Sequence, residues 1–246
     1  MGVTQLISPF YRQLDAKTFR SQFESGQIAW IPTPFAADIP QIMEVERESP
    51  DDHFASRFQL RNMRESDFRK KQKLPIKLLN LGETEELVVA RSKLRPCIVL
   101  KVGQTSFSDL TKALKQAGKG HLKKEDLAAI PIYTVEKQDG DTGFPAVMVA
   151  RVKALMYPQF FFCPRHGVTI PNNSIARLDR MFFVRPVFPA FQPTDVALAP
   201  DALMVLRCML ALLLRVVMSE AEFEAFSAVR DLVQEALPDE AKSPIL

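Results

Sequence analysis

Apolar and polar positions along this chain fall into an ordered series of patterns. Between Pro9 and Glu24 the residues Phe10, Leu14, Phe19 and Phe23 recur at roughly helical spacing, which predicts a short amphipathic helix ended by Gly26. "GQIAWIP" then reads as a strand around Ile28 and Trp30 that stops near Pro32. From Phe35 to Gly82 the pattern changes. "ADIPQIMEVERESPDDHF" is broken by prolines and acids, and "FASRFQLRNMRESDFRKKQK" reads as a charged helix. The stretch is longer than an ordinary connection, so it is expected to be an insertion serving as a functional loop or lid.

Strands follow. "ELVVA" and "RPCIVLKV" are apolar and β-branched, with Pro96 barring helix and Cys97-Ile98-Val99-Leu100 reading as a buried strand. "FSDLTKALKQAG" predicts a helix capped at Ser106 or Ser108 and stopped at Gly118. "AAIPIYTVE", "PAVMVARVKAL", "QFFFCP" and "IARLDRMFFVRP" then read as short strands between turns, which suggests a mostly antiparallel sheet curling into a barrel. Beyond "PVFPAFQP" the pattern turns helical, from Pro200 and Asp201 to Pro238. Leu206, Leu210, Leu213 and Val217 form one stripe with apolar neighbours on other faces, so this helix is expected to be buried in the domain or in a dimer.

Composition adds limits. The 246 residues, 47% hydrophobic and 25% charged, are those of a globular chain able to bury a core. A net charge of +3 is too small to argue for nucleic acid, but its distribution is uneven: Arg61 to Lys77 holds seven Lys/Arg against Glu65 and Asp67, and Glu220 to Glu240 is acidic. Such a segregated charge suits an anionic partner or a plainly solvated surface. Cys97, Cys163 and Cys208 are odd in number and widely spaced, against a disulfide framework and for a reducing, cytoplasmic compartment. No structural zinc spacing is present. Cys163 with His166 suggests a thiol nucleophile, but no third, orienting group is evident. The start of the chain lacks the apolar core of a signal peptide, and Ala202 to Met218, with Arg207 and Arg215 inside, is short for a bilayer span.

The order of four segments resembles the MazF/PemK family of toxins. "GQIAWIP" is similar to that family's opening strand, and "LRPCIVLKV" to its second strand, which begins with an Arg-Pro pair. "IPIYTVEK" looks like the strand ending in a Thr or Ser beside the active site, and "NSIARLDRMFFVRP" like the late strand before the C-terminal helix. The resemblance implies an α+β chain, mainly β: an SH3-like barrel over 26–192 carrying a helical insertion at about 36–82, with an N-terminal helix in 1–25 and C-terminal helices in 193–246. It further implies a homodimer that cuts single-stranded RNA with neither metal nor cofactor, as the toxin of a toxin–antitoxin or defence system with an antitoxin protein as partner.

On this resemblance Arg95 is the catalytic arginine and Thr134 the catalytic hydroxyl, while Gln27 stands where the family has an acid. The family's loop before Arg-Pro is replaced by Ser92-Lys93-Leu94. Arg91, Lys93, Arg69, Lys70, Lys71 and Lys73 are the expected RNA contacts, although the basic stretch would serve equally as a lid with Asp51 and Asp52 imitating phosphate. Cleavage by the neighbouring 2′-hydroxyl needs charge stabilisation on the phosphorane, and an arginine fork suits it. His121 and His166 have the pKa range of a general base, but nothing in the sequence places either near Arg95. The plainer readings make Arg95 a surface partner of Glu85 or Glu86, Thr134 a β-former, and Trp30 and Phe160–Phe162 core. A catalytically silent barrel that binds nucleic acid or a protein is the rival function, and a scaffold assembled through its apolar helix the second.

Overall fold

The computed structural model describes residues 2–35, 38–47, 56–69, 79–101, 108–119, 126–136 and 143–242. It is a mixed α+β structure whose sheets are mostly antiparallel. The chain divides into two compact units, one of residues 1–32 and 94–246 and the other of residues 33–93.

The larger unit is built on β2 (Gln27–Pro34), β6 (Ser92–Lys101) and β7 (Leu127–Glu136). Cys97, Ile98 and Val99 of β6, and Leu127 to Ile132 of β7, are all buried. A strand apolar at consecutive positions is covered on both faces. Two clusters do the covering: Ile28, Ile98, Ile130 and Ile132 join one, and Ala29, Ile31, Cys97, Val99, Leu127 and Ala129 join the other with Phe191. β6 pairs with β7 in the register Cys97↔Pro131 to Lys101↔Leu127. On its second edge β7 pairs first with β10 (Phe182–Val184), through Leu127 to Ala129, and then with β9 (Asn173–Arg177), from Ile132 onward. Pro131, which has no N–H to give, sits where that edge changes partner, so no rung of either ladder is lost there.

The sheet path runs β1 (Tyr11–Gln13), β11 (Gln192–Leu198), β2, β6, β7, β9 and β8 (Phe160–Cys163). Among the described residues it is open, which corrects the expected closed barrel. Helices cover it. α4 (Pro200–Leu214) buries Ala202, Val205, Leu206 and Met209, and α3 (Ala146–Lys153) buries Val149 and Val152. α4 ends at Arg215, whose φ of +56° is left-handed, and α5 (Glu220–Glu235) starts afresh at Ser219. There the Ser219 hydroxyl accepts from the Glu222 N–H at 3.3 Å and the Glu222 carboxylate accepts from the Ser219 N–H at 3.1 Å. A short α1 (Val3–Leu6), α2 (Ser108–Gln116) and α6 (Asp239–Lys242) complete the helices.

Three expectations are corrected. The stretch from Pro9 to Glu24 is β1 and a series of turns, because Phe10 and Leu14 reach the core from either side of an edge strand paired to Val196–Leu198. "PAVMVARVKAL" is helix α3, since Val149 and Val152 share one buried face at a spacing of three. In the smaller unit the expected charged helix is strand β4 (Ser56–Asn62), paired to β3 (Gln41–Arg47), which also pairs with β5 (Val88–Val89). "RFQLR" alternates polar and apolar residues, a period of two that suits a strand.

Phe161 is fully buried and stacks on Phe10 at 5.7 Å between ring centroids. Phe161→Ala is expected to cost about 3–5 kcal/mol of stability, read by urea unfolding, while Phe183→Ala at an exposed position changes it by less than ~0.5 kcal/mol.

Candidate functional site

Arg95 lies on β6 two residues before the buried run, at a half-buried position. Its guanidinium carbon sits 4.4 Å from the centroid of the Tyr133 ring. Continuing the β6–β7 register, Arg95 stands opposite Tyr133, so the two side chains leave the sheet on the same face. Tyr133 in turn opposes Ile175 on β9, and Arg177, two residues along, projects from that face as well. Arg177 lies over Phe160, its cross-strand partner, at 5.2 Å. The face therefore carries Arg95, Tyr133, the buried Ile175, and then Arg177 with Phe160.

The Arg177 fork meets the Asp179 carboxylate at 2.7 and 2.5 Å. This contact raises the guanidinium pKa, with a small contribution from Tyr133, and lowers that of the Asp179 carboxyl. Arg180 approaches the same carboxylate at 3.8 Å. One acid thus serves two cations, Arg177 and Arg180, beside half-buried rings. Cations on aromatic faces are held by the ring quadrupole, at about 0.5–1 kcal/mol where exposed.

Thr134 is exposed, but it follows Tyr133 along the strand and opposes Ser174, so it leaves the sheet on the other face. The structure does not bring Arg95 and Thr134 together. Gln27 is fully buried. Its amide donates to the carbonyls of Phe19 at 2.9 Å and Thr194 at 2.8 Å, and accepts from the Glu24 N–H at 3.2 Å. A buried amide must have its hydrogen bonds met, and this one is met by the fold, which takes Gln27 out of reach of a ligand. Cys163 is also wholly buried, and burial pushes its thiol up to about 12, far from a reactive thiolate. His166 packs its ring against Tyr11 at 4.7 Å; His121 lies outside the described residues.

In the smaller unit Arg61, Arg69 and Arg91 are each matched by acids. Arg91 makes a fork to Asp38 at 2.6 and 2.9 Å, and this contact lowers the Asp38 carboxyl pKa and raises that of the guanidinium. Arg69 pairs with Glu65 at 3.3 Å, and Lys93 is exposed on β6. Arg61 donates to both oxygens of Asp67, at 2.9 and 2.7 Å, and also reaches Glu44. Lys70, Lys71 and Lys73 lie outside the described residues, as do Asp51 and Asp52.

Sequence reasoning passed over Tyr133, Arg177 and Asp179. The signal for Tyr133 was its place in the strand beside Thr134, since alternation lets only one of two neighbours share a face with Arg95. Among the described residues no group of three His, Cys, Asp or Glu is placed to hold a metal ion, and no helix is long and apolar enough to cross a membrane. No family model, curated protein or solved structure matches this chain.

The Asp67 carboxyl is lowered to about 2 from its ordinary 3.8, first by the Arg61 fork and then by the Arg64 N–H. A depressed carboxylate stabilises the fold above its ordinary pKa and loses that contribution as pH falls through its folded value. The Asp67 tie is therefore expected to hold above about pH 4 and to release toward pH 2. A carbon-13 NMR titration of the carboxyl should give a midpoint near 2, and Arg61→Ala should move it toward 3.8.

Proposed function

We propose that the face bearing Arg95, Tyr133 and Arg177 binds single-stranded RNA. The observation that carries this reading is the guanidinium of Arg95 at 4.4 Å over the Tyr133 ring, with Arg177 over Phe160 on the same face. Bases stack on exposed aromatic or guanidinium planes whatever their identity, and arginine forks meet phosphate oxygens in pairs. A half-exposed sheet face with both kinds of group suits an unpaired strand, whose bases are free to stack. Arg180, half-exposed beside Asp179, adds charge to the same region.

Binding is favoured over cleavage by the placement of Thr134. The MazF/PemK resemblance would have Arg95 and Thr134 act on one phosphate, and the strand alternation separates them. A binding role calls on the arginine face alone and makes no demand on Thr134. The SH3-like likeness rests on the order of strands β2, β6, β7 and β9 and on their antiparallel pairing. Exposed Leu214, Val216 and Val217 at the end of α4 support the homodimer that the family would imply.

The test is retention of unstructured RNA on the purified chain across a salt series, in EDTA, with the RNA ends mapped afterwards. Binding is expected to fall with salt, and Arg95→Ala to weaken it by roughly tenfold and reduce the salt slope by about 1. Arg177→Ala is expected to weaken it as well, and Thr134→Ala to leave it unchanged. Loss of cleavage in both Arg95→Ala and Thr134→Ala, with the fold intact, would replace the binding reading with the nuclease. Retention that ignores both arginines would sink both.

A further inference from the structure

A cleft of about 540 Å³ lies against the paired strands β2 and β11, away from any residue of the RNA-binding reading. Trp30 of β2 pairs with Gln192 of β11 at its floor, Phe23 and Phe191 meet edge to face at 4.9 Å along one side, and Phe188, 79% exposed, stands as a free wall. Its volume falls within the range of small-molecule sites, roughly 300–1,000 Å³, and four aromatic rings are the kind of lining such sites have.

The polar groups of the lining are unequal. The Thr194 hydroxyl donates to the Ile28 carbonyl at 2.7 Å, and the Gln192 amide donates to the Pro189 carbonyl at 3.2 Å, so both serve the fold. Arg20 is the one charged residue in the lining. It is exposed, rests over the Phe19 ring at 5.3 Å, and pairs with no carboxylate among the described residues. No described residue accepts from the indole N–H of Trp30. The arrangement is thus an aromatic slot with one unmatched cation at its edge.

We propose that this cleft is a binding site for a small planar aromatic molecule bearing one anionic group, with its ring against Trp30 and Phe188 and its anion on Arg20. Offset or edge-on packing between rings suits a slot walled by Trp and Phe, and a guanidinium takes a carboxylate or a phosphate through two parallel hydrogen bonds. A single cation matches a single anion. A nucleic-acid strand would instead call for a run of cations along its backbone, which this lining lacks. A nucleoside monophosphate and an aryl carboxylate share the required chemistry.

Trp30 is the only tryptophan in the chain, so its fluorescence reports on the cleft directly. The whole chain is titrated with adenosine monophosphate and, separately, with benzoate, following Trp30 emission and the heat of binding. Adenosine, benzamide and inorganic phosphate serve as comparisons. Saturable quenching and heat are expected with one of the two anions, identifying the source, and the uncharged analogue and free phosphate should each bind at least about tenfold more weakly. Arg20→Ala and Phe188→Ala, both at exposed positions, should weaken binding by a similar factor with the circular dichroism spectrum unchanged. Absence of saturable binding by either anion overturns the proposal. So does equal binding of charged and uncharged rings with Arg20→Ala silent, or phosphate alone binding as well as the nucleotide. RNA retention through Arg95 is a separate measurement, and neither result decides the other.

Discussion

The ladder between β6 and β7 is covered by apolar side chains on both of its faces, and the other features of the larger unit follow from that. Ile98 and Ile130 face one cluster, and Cys97, Val99, Leu127 and Ala129 face the other. A slip of one residue would exchange the two sets and push side chains fitted to one cluster into the other. Register is therefore tightly held. Because it is held, Arg95 has to stand opposite Tyr133, and Tyr133 opposite Ile175. The composition of the proposed binding face is a by-product of how the core divides.

That division explains what could be read from the sequence and what could not. Runs such as Cys97–Leu100 and Ile130–Val135 announce buried strands by composition, and the start of α4 is announced by Pro200 and Asp201. Elements whose apolar residues are few or mixed were misread. Phe10 and Leu14 have helical spacing, yet an edge strand followed by turns buries both. α3 is rich in valine and looks like a strand, but its Val149 and Val152 share the core-facing side, and a helix supplies that spacing. "RFQLR" was masked by its charges, although its alternation was plain.

The site was legible as residue types and illegible as a face. Arg95 stood out because the Arg-Pro pair opens a strand that resembles the second strand of the MazF/PemK family. Thr134, expected beside it, is one position from Tyr133, which does lie beneath it, and in a strand one residue is the difference between two sides of a sheet. Gln27 shows the opposite error. A polar residue at the start of a strand looks available, but this one closes three hydrogen bonds between the 19–24 turns, β2 and β11. Pattern alone does not tell a polar group that meets solvent from one that meets main chain.

Charge runs hide a related distinction. Arg61 and Arg91 sit among basic neighbours in the sequence, and in the fold each grips a carboxylate with its fork, Asp67 and Asp38 respectively. An arginine so matched contributes little to the field seen by an anion, whatever the count of lysines around it. Arg20 has a phenyl ring where those two have an acid. A ring steadies a guanidinium without cancelling its charge, since the attraction is to a quadrupole and leaves the net charge in place. Arg95 shares this backing through Tyr133, and Arg177 combines it with Asp179. Where this chain meets an anion, the deciding feature is the surface beneath each arginine more than the number of arginines nearby.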